Sequence, residues 1–153
     1  MLEVEAIERP LEWLPRTWPP ALDAVVAPRG AATVAAIYPG GVLDLLRALR
    51  EDGLNIDYAA SPEGFASTHG GEYVAPAIAF TSRTLAGGVE VFALALQETI
   101  GPAKLTRTRL DVAVYVHDEA KVSLVYEGAG PAVPVLAAMR GAARAWRRSV
   151  RLA

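Results

Sequence analysis

The sequence predicts an α+β fold: a βαβ unit, a long apolar helix interrupted by glycines, a β-hairpin and a C-terminal amphipathic helix, packed as a two-layer sandwich. Three stretches carry that expectation. Val42, Leu45, Leu46 and Leu49 recur at helical spacing between two short apolar runs. "RLDVAVYVHDEAKVSLVYEG" alternates apolar and polar residues on either side of a polar turn. "VPVLAAMRGAARAWRRSVRL" sets an apolar stripe beside a stripe of arginines. At 153 residues the chain is one domain in size, and 52% hydrophobic with 21% charged residues is the composition of a folded globular protein.

The elements follow in chain order. "LEVEAIE" alternates apolar and acidic residues as an edge strand does. Pro10, Pro15, Pro19, Pro20 and Pro28 then make residues 1–30 an extended strap, with a short turn at Leu22–Val26 and with Trp13 and Trp18 as anchors on the domain or as a docking motif. Residues 31–153 form a single α/β domain. "ATVAAIY" reads as a buried strand, the segment from Val42 to Asp52 as a helix stopped by Gly53, and "LNIDYAA" as a half-buried strand. Strand, helix and strand in this order make a βαβ unit. "SPEGFASTHGGE", residues 61–72, carries only loop signals.

Residues 73–100 pose the main ambiguity. Gly87 and Gly88 are either the turn of a hairpin or soft positions inside a helix. "FALALQE" contains good helix formers and no β-branched residue, which favours a helix from about Tyr73 to Thr99. Each glycine costs such a helix roughly 1 kcal/mol against alanine, so each needs a reason, such as close approach of a neighbour or a kink. Arg83 and Glu90 lie near the middle of the run, which argues against a membrane span. The apolar surplus of this segment predicts a homo-oligomer.

The order of elements, the run Leu45-Leu46-Arg47-Ala48-Leu49-Arg50-Glu51-Asp52, the Ala86-Gly87-Gly88 followed by "VFALAL", and the hairpin over 110–127 resemble the effector-associated constant component family of bacterial conflict systems. The resemblance covers about residues 31–140. It implies a non-enzymatic adaptor beside a protease, NTPase or other effector, and it carries over no catalytic residue.

Chemistry is sparsely marked. Without cysteine there is no disulfide or thiolate metal site. His69 and Glu72 supply two loop ligands where zinc wants three or four, so no metal and no cofactor is expected. Ser61 and Ser67 lack a nucleophile-elbow setting, and Gly40-Gly41 is followed by Val42-Leu43 where a P-loop needs Lys and Ser or Thr. His117 is placed at the hairpin turn. A small-molecule site or small enzyme near the 61–72 loop, built from His69, Glu72 and Tyr115, is the alternative to the adaptor.

Net charge is −2, yet the residues after Pro131 hold five arginines and no acid, so the first 130 residues carry the balancing −7. Arg140, Arg144, Arg147 and Arg151 share one helical face. That face is solvated, paired with internal acids, or offered to an anionic partner: an effector protein first, nucleic acid or an anionic membrane second. An N-terminus charged from Glu3 onward, arginine in place of lysine, and abundant alanine fit a bacterial cytoplasmic chain.

Overall fold

The structure is a computed structural model. It describes residues 13–15, 17–29, 35–67, 70–119 and 121–152, with side chains described as far as Trp146. The expected edge strand at 2–8, the start of "ATVAAIY" and His69 lie outside the described residues, as do the side chains of Arg147, Val150 and Arg151.

The fold is α+β: among the described residues, three α-helices lie over a mixed five-stranded sheet, beside a second, two-stranded sheet. In chain order the elements are β1 (Ala24–Ala27), β2 (Ile37–Pro39), α1 (Val42–Glu51), β3 (Ile56–Tyr58), β4 (Gly64–Ala66), β5 (Glu72–Thr81), α2 (Leu85–Ile100), β6 (Arg109–Asp118), β7 (Lys121–Pro131) and α3 (Ala132–Leu152). The large sheet runs β3-β1-β5-β6-β7, and the small one pairs β2 with β4.

Two parallel crossovers build the large sheet. β1 and β3 are parallel neighbours with α1 between them in sequence. The βαβ unit is therefore present, but its first strand is Ala24–Ala27, where the sequence suggested a turn, and the sheet draws those residues of the strap into the domain. "AVVA" is buried at every position because β1 lies between β3 and β5 with both faces covered, which erases any alternation. β2 pairs instead with β4, inside the segment read as a loop. Glu63 clamps that segment, its N–H donating to Ala36 O (2.9 Å) and its carboxylate accepting from Ala36 N (2.7 Å). Tyr38, fully buried, donates to Ala60 O at 2.7 Å.

The second crossover corrects the reading of residues 73–100. Residues 72–81 are strand β5, parallel to β6, and only 85–100 are helical. The glycine pair is indeed inside a helix, and no hairpin forms: Ala77–Phe80 pair with β1 on one side and β6 on the other. β5 hides from sequence patterning because it is the central strand. Ile78 and Phe80 face the helices while Ala77 and Ala79 face the opposite side, and all four are buried. Pro76 has no N–H for a ladder, and the register slips between Val74 and Ala77 to pass it. The strand ends in a threonine clasp, in which Thr81 N donates to Thr84 Oγ1 (3.0 Å) and Thr84 N to Thr81 Oγ1 (3.2 Å). Thr84 Oγ1 also donates to Asp23 O at 2.7 Å, which ties the start of α2 to the entry of β1.

All three helices lie against one sheet face, with α2 in contact with both α1 and α3. The other face presents Val25, Ala27, Ala77, Ala79, Ala113 and Tyr115, covered by Leu14 and flanked by Trp13 and Trp18. The strap tryptophans are thus anchors on their own domain. β6 is consequently buried on both faces, and its Ala113, Tyr115 and His117 are covered as well as the Leu110–Val116 set.

The two glycines of α2 differ. A Cβ on Gly88 would run into the ring of Phe80, whereas one on Gly87 would meet nothing within 4 Å among the described residues. Gly141 in α3 is equally open. Gly88→Ala is expected to cost about 1–3 kcal/mol by overpacking against a buried ring, while Gly141→Ala stabilises by about 0.5–1 kcal/mol through helix propensity. Urea unfolding of the two variants checks this, and a neutral Gly88→Ala would refute the contact.

Candidate functional site

β5 and β6 run parallel and end side by side at Thr81 and Asp118. Beyond their carboxyl ends an open groove of about 540 Å³ forms between the strap, the β5–α2 turn and the hairpin end. Such strand ends are where open α/β sheets place ligands. Trp18 and His117 make its aromatic wall, with ring centroids 5.3 Å apart and tilted by 46°. Trp18 is fixed by its indole N–H donating to Leu22 O at 2.8 Å. His117 is on strand β6, only 7% exposed, and not in the turn as the sequence suggested. Arg83, Asp23 and Glu119 supply charges of both signs.

Backbone strain concentrates here. Among the described residues, the non-glycine positions with positive φ are Ala21 (69°) and Glu119 (56°), and both line this groove. Each costs on the order of 1–2 kcal/mol.

The sequence-derived pocket does not assemble in this way. Glu72, exposed, lines a separate cavity of about 160 Å³ with Tyr73, Arg109 and Asp111. Tyr115 stands opposite Ala79, seven positions further along β5, or roughly 23 Å at strand rise. Its side chain is fully buried on the strap side of the sheet, where the phenol finds no hydrogen-bond partner among the described residues. Burial, with Glu127 adding and Arg29 opposing, pushes its pKa up to about 12. Arg29 itself is paired with Asp111. Among the described residues no group of three or more His, Asp or Glu could hold a metal, and no helix is long and apolar enough to cross a membrane.

The arginine face of α3 is partly spent inside the domain. Glu90 of α2 faces both Arg140 (3.2 Å) and Arg144 (3.3 Å). Arg144 donates a hydrogen bond, while Arg140 Nε is close enough for an ion pair but not aligned for a hydrogen bond. One carboxylate thus answers two guanidinium groups, so internal pairing and a residual positive patch coexist. Leu136, Met139 and Ala143 are buried beside them as the stripe predicted, but Trp146 is only half-buried and lines a cavity of about 280 Å³ with Arg83, Ala86 and Gly87.

The outward face of α2 is the remaining surface of note. Its inner sides bury Leu85, Val89, Phe92, Ala93 and Leu96. Outward, Gly87, Val91, Leu94 and Glu98 fall on one stripe, with Leu94 50% exposed and Val91 half-buried. A helix apolar on nearly every side is normally covered on every side.

Compared with family models, curated proteins and solved structures, the chain matches none of them. Sequence reasoning missed Trp18, Arg83 and His117 as neighbours. The only signal was the Trp18–Leu22 stretch, read as strap alone, since nothing local to Arg83 or His117 reveals that β5 and β6 end together.

The buried phenols give a pH prediction. Tyr38 is pushed up to about 12 by burial, Tyr115 likewise, and burial raises Tyr73 as well. A raised phenol pKa favours the neutral folded form, so that stability is complete below about pH 10 and is lost as pH climbs toward 12. Alkaline titration by tyrosinate absorbance should show these phenols ionising together with loss of circular dichroism. Their ionisation in a still-folded chain near pH 10 would contradict the packing.

Proposed function

We propose that the chain is a non-enzymatic adaptor or assembly module of a bacterial cytoplasmic system, working by association with protein surfaces. One observation carries the reading: Leu94 stands half exposed in the centre of an apolar stripe on the middle helix of the layer. Leu43, Phe65, Leu124 and Val133 are also exposed, but Leu94 is the one on the middle helix, beside half-buried Val91, and an exposed apolar stripe of this kind marks a contact surface. The resemblance to the effector-associated constant component family supplies the setting, an assembly that also contains an effector protein. A photo-crosslinking residue at position 94, introduced in cells, should give discrete adducts that are absent when the same group replaces exposed Glu51 of α1. No adduct from position 94 would count against the adaptor.

A second reading, small-molecule binding, is favoured by the coincidence of Ala21 and Glu119 in one groove wall. It predicts that a ligand raising the melting temperature loses its effect in Trp18→Ala. Ligand-induced stabilisation indifferent to that change would move the site elsewhere.

A further inference from the structure

Among the described residues Gly87 has no steric reason, because a side chain there would enter open space. Leu94, two helical turns away on the same stripe, projects with half its surface exposed. A hole and a knob on one helix face are complementary to the same face turned around. We infer that the outward face of α2 packs against that of a second copy of this chain, antiparallel, about a two-fold axis passing midway between Glu90 and Val91. The inference rests on the adaptor reading and names its partner.

That register places Leu94 over Gly87 of the partner copy, and by symmetry the reverse contact forms as well. The same axis brings Arg83, just before the helix, opposite Glu98 of the partner copy near its end. Both residues are exposed, and neither has an ion-pair partner among the described residues. A parallel arrangement would set Arg83 against Arg83 and Glu98 against Glu98, so charge selects the antiparallel one. The absence of a Cβ at Gly87 lets the helices approach closely at the knob. A competing surface is the edge of β7, which no described strand pairs and where Leu124 is exposed; it is interrupted by the bulge between its pairings with Val114 and Tyr115, a feature that blunts edge pairing.

Light scattering and sedimentation equilibrium on the purified full chain test the assignment. The wild type should have twice the monomer mass at micromolar concentration. Gly87→Leu, which fills the hole, and Leu94→Ala, which removes the knob, should each weaken the dimer at least about thirtyfold with unchanged circular dichroism. Arg83→Glu or Glu98→Arg alone should weaken it roughly tenfold, and the two together should restore it to within about threefold of wild type. A monomeric wild type, a dimer indifferent to Gly87→Leu, or a double reversal that fails to rescue overturns the inference. A monomer that still gives a discrete adduct with another protein from position 94 removes the second copy and leaves the adaptor standing. A monomer with no adduct removes both.

Discussion

The ring of Phe80 lies so close to the backbone of Gly88 that no side chain fits between them, and the position of the whole helical layer depends on that contact. Phe80 belongs to the central strand and is fully buried. The threonine clasp reverses the chain within Ser82–Thr84, so α2 returns over the strand it has just left. α2 is then the middle helix, with α1 and α3 leaning on it. A larger residue at position 88 would lift α2 from β5 and loosen all three helices together.

From this constraint the surfaces follow. Because α2 presses its Gly88 side onto the sheet, its Gly87–Leu94 side must look outward, and Glu90 is aimed at the arginines of α3. Because β5 and β6 are joined through α2, they run parallel and finish together, and the groove with Trp18 and His117 opens at that end. The strap closes the opposite face of the sheet. Its small residues, chiefly alanines, allow a thin cover of Leu14 and the two tryptophans to suffice.

How much of this the sequence disclosed depended on whether one face of an element met water. α1 was legible because Leu45, Leu46 and Leu49 alternate with Asp44, Arg47 and Arg50 in helical period, and α3 for the same reason. The hairpin of β6 and β7 was legible through its polar turn, but its alternation does not mark a wet face on β6, because the strap covers Tyr115 and His117. β1 and β5 were not legible. Both are covered on two faces, so neither alternates, and alanine-rich "YVAPAIAF" has little of the β-branched composition that marks a strand. The helix formers after Gly87 and Gly88 carry the helical setting of the pair, although the helix starts twelve residues later than Tyr73. The site was less legible than the fold, because Trp18, Arg83 and His117 are far apart in sequence and meet only through the parallel pairing of β5 with β6.

The most direct test of the central contact is the proton shift of Gly88 in solution. An aromatic ring held against an α-carbon moves its protons far from their usual position. The Gly88 Hα resonances of the folded chain should be strongly ring-current shifted, show cross-relaxation to the Phe80 ring, and return toward ordinary helical values in Phe80→Leu. Ordinary Gly88 shifts in the wild type, with no Phe80 cross-peak, would mean that α2 does not lie on β5 in this way, and the account of both surfaces would fall with it.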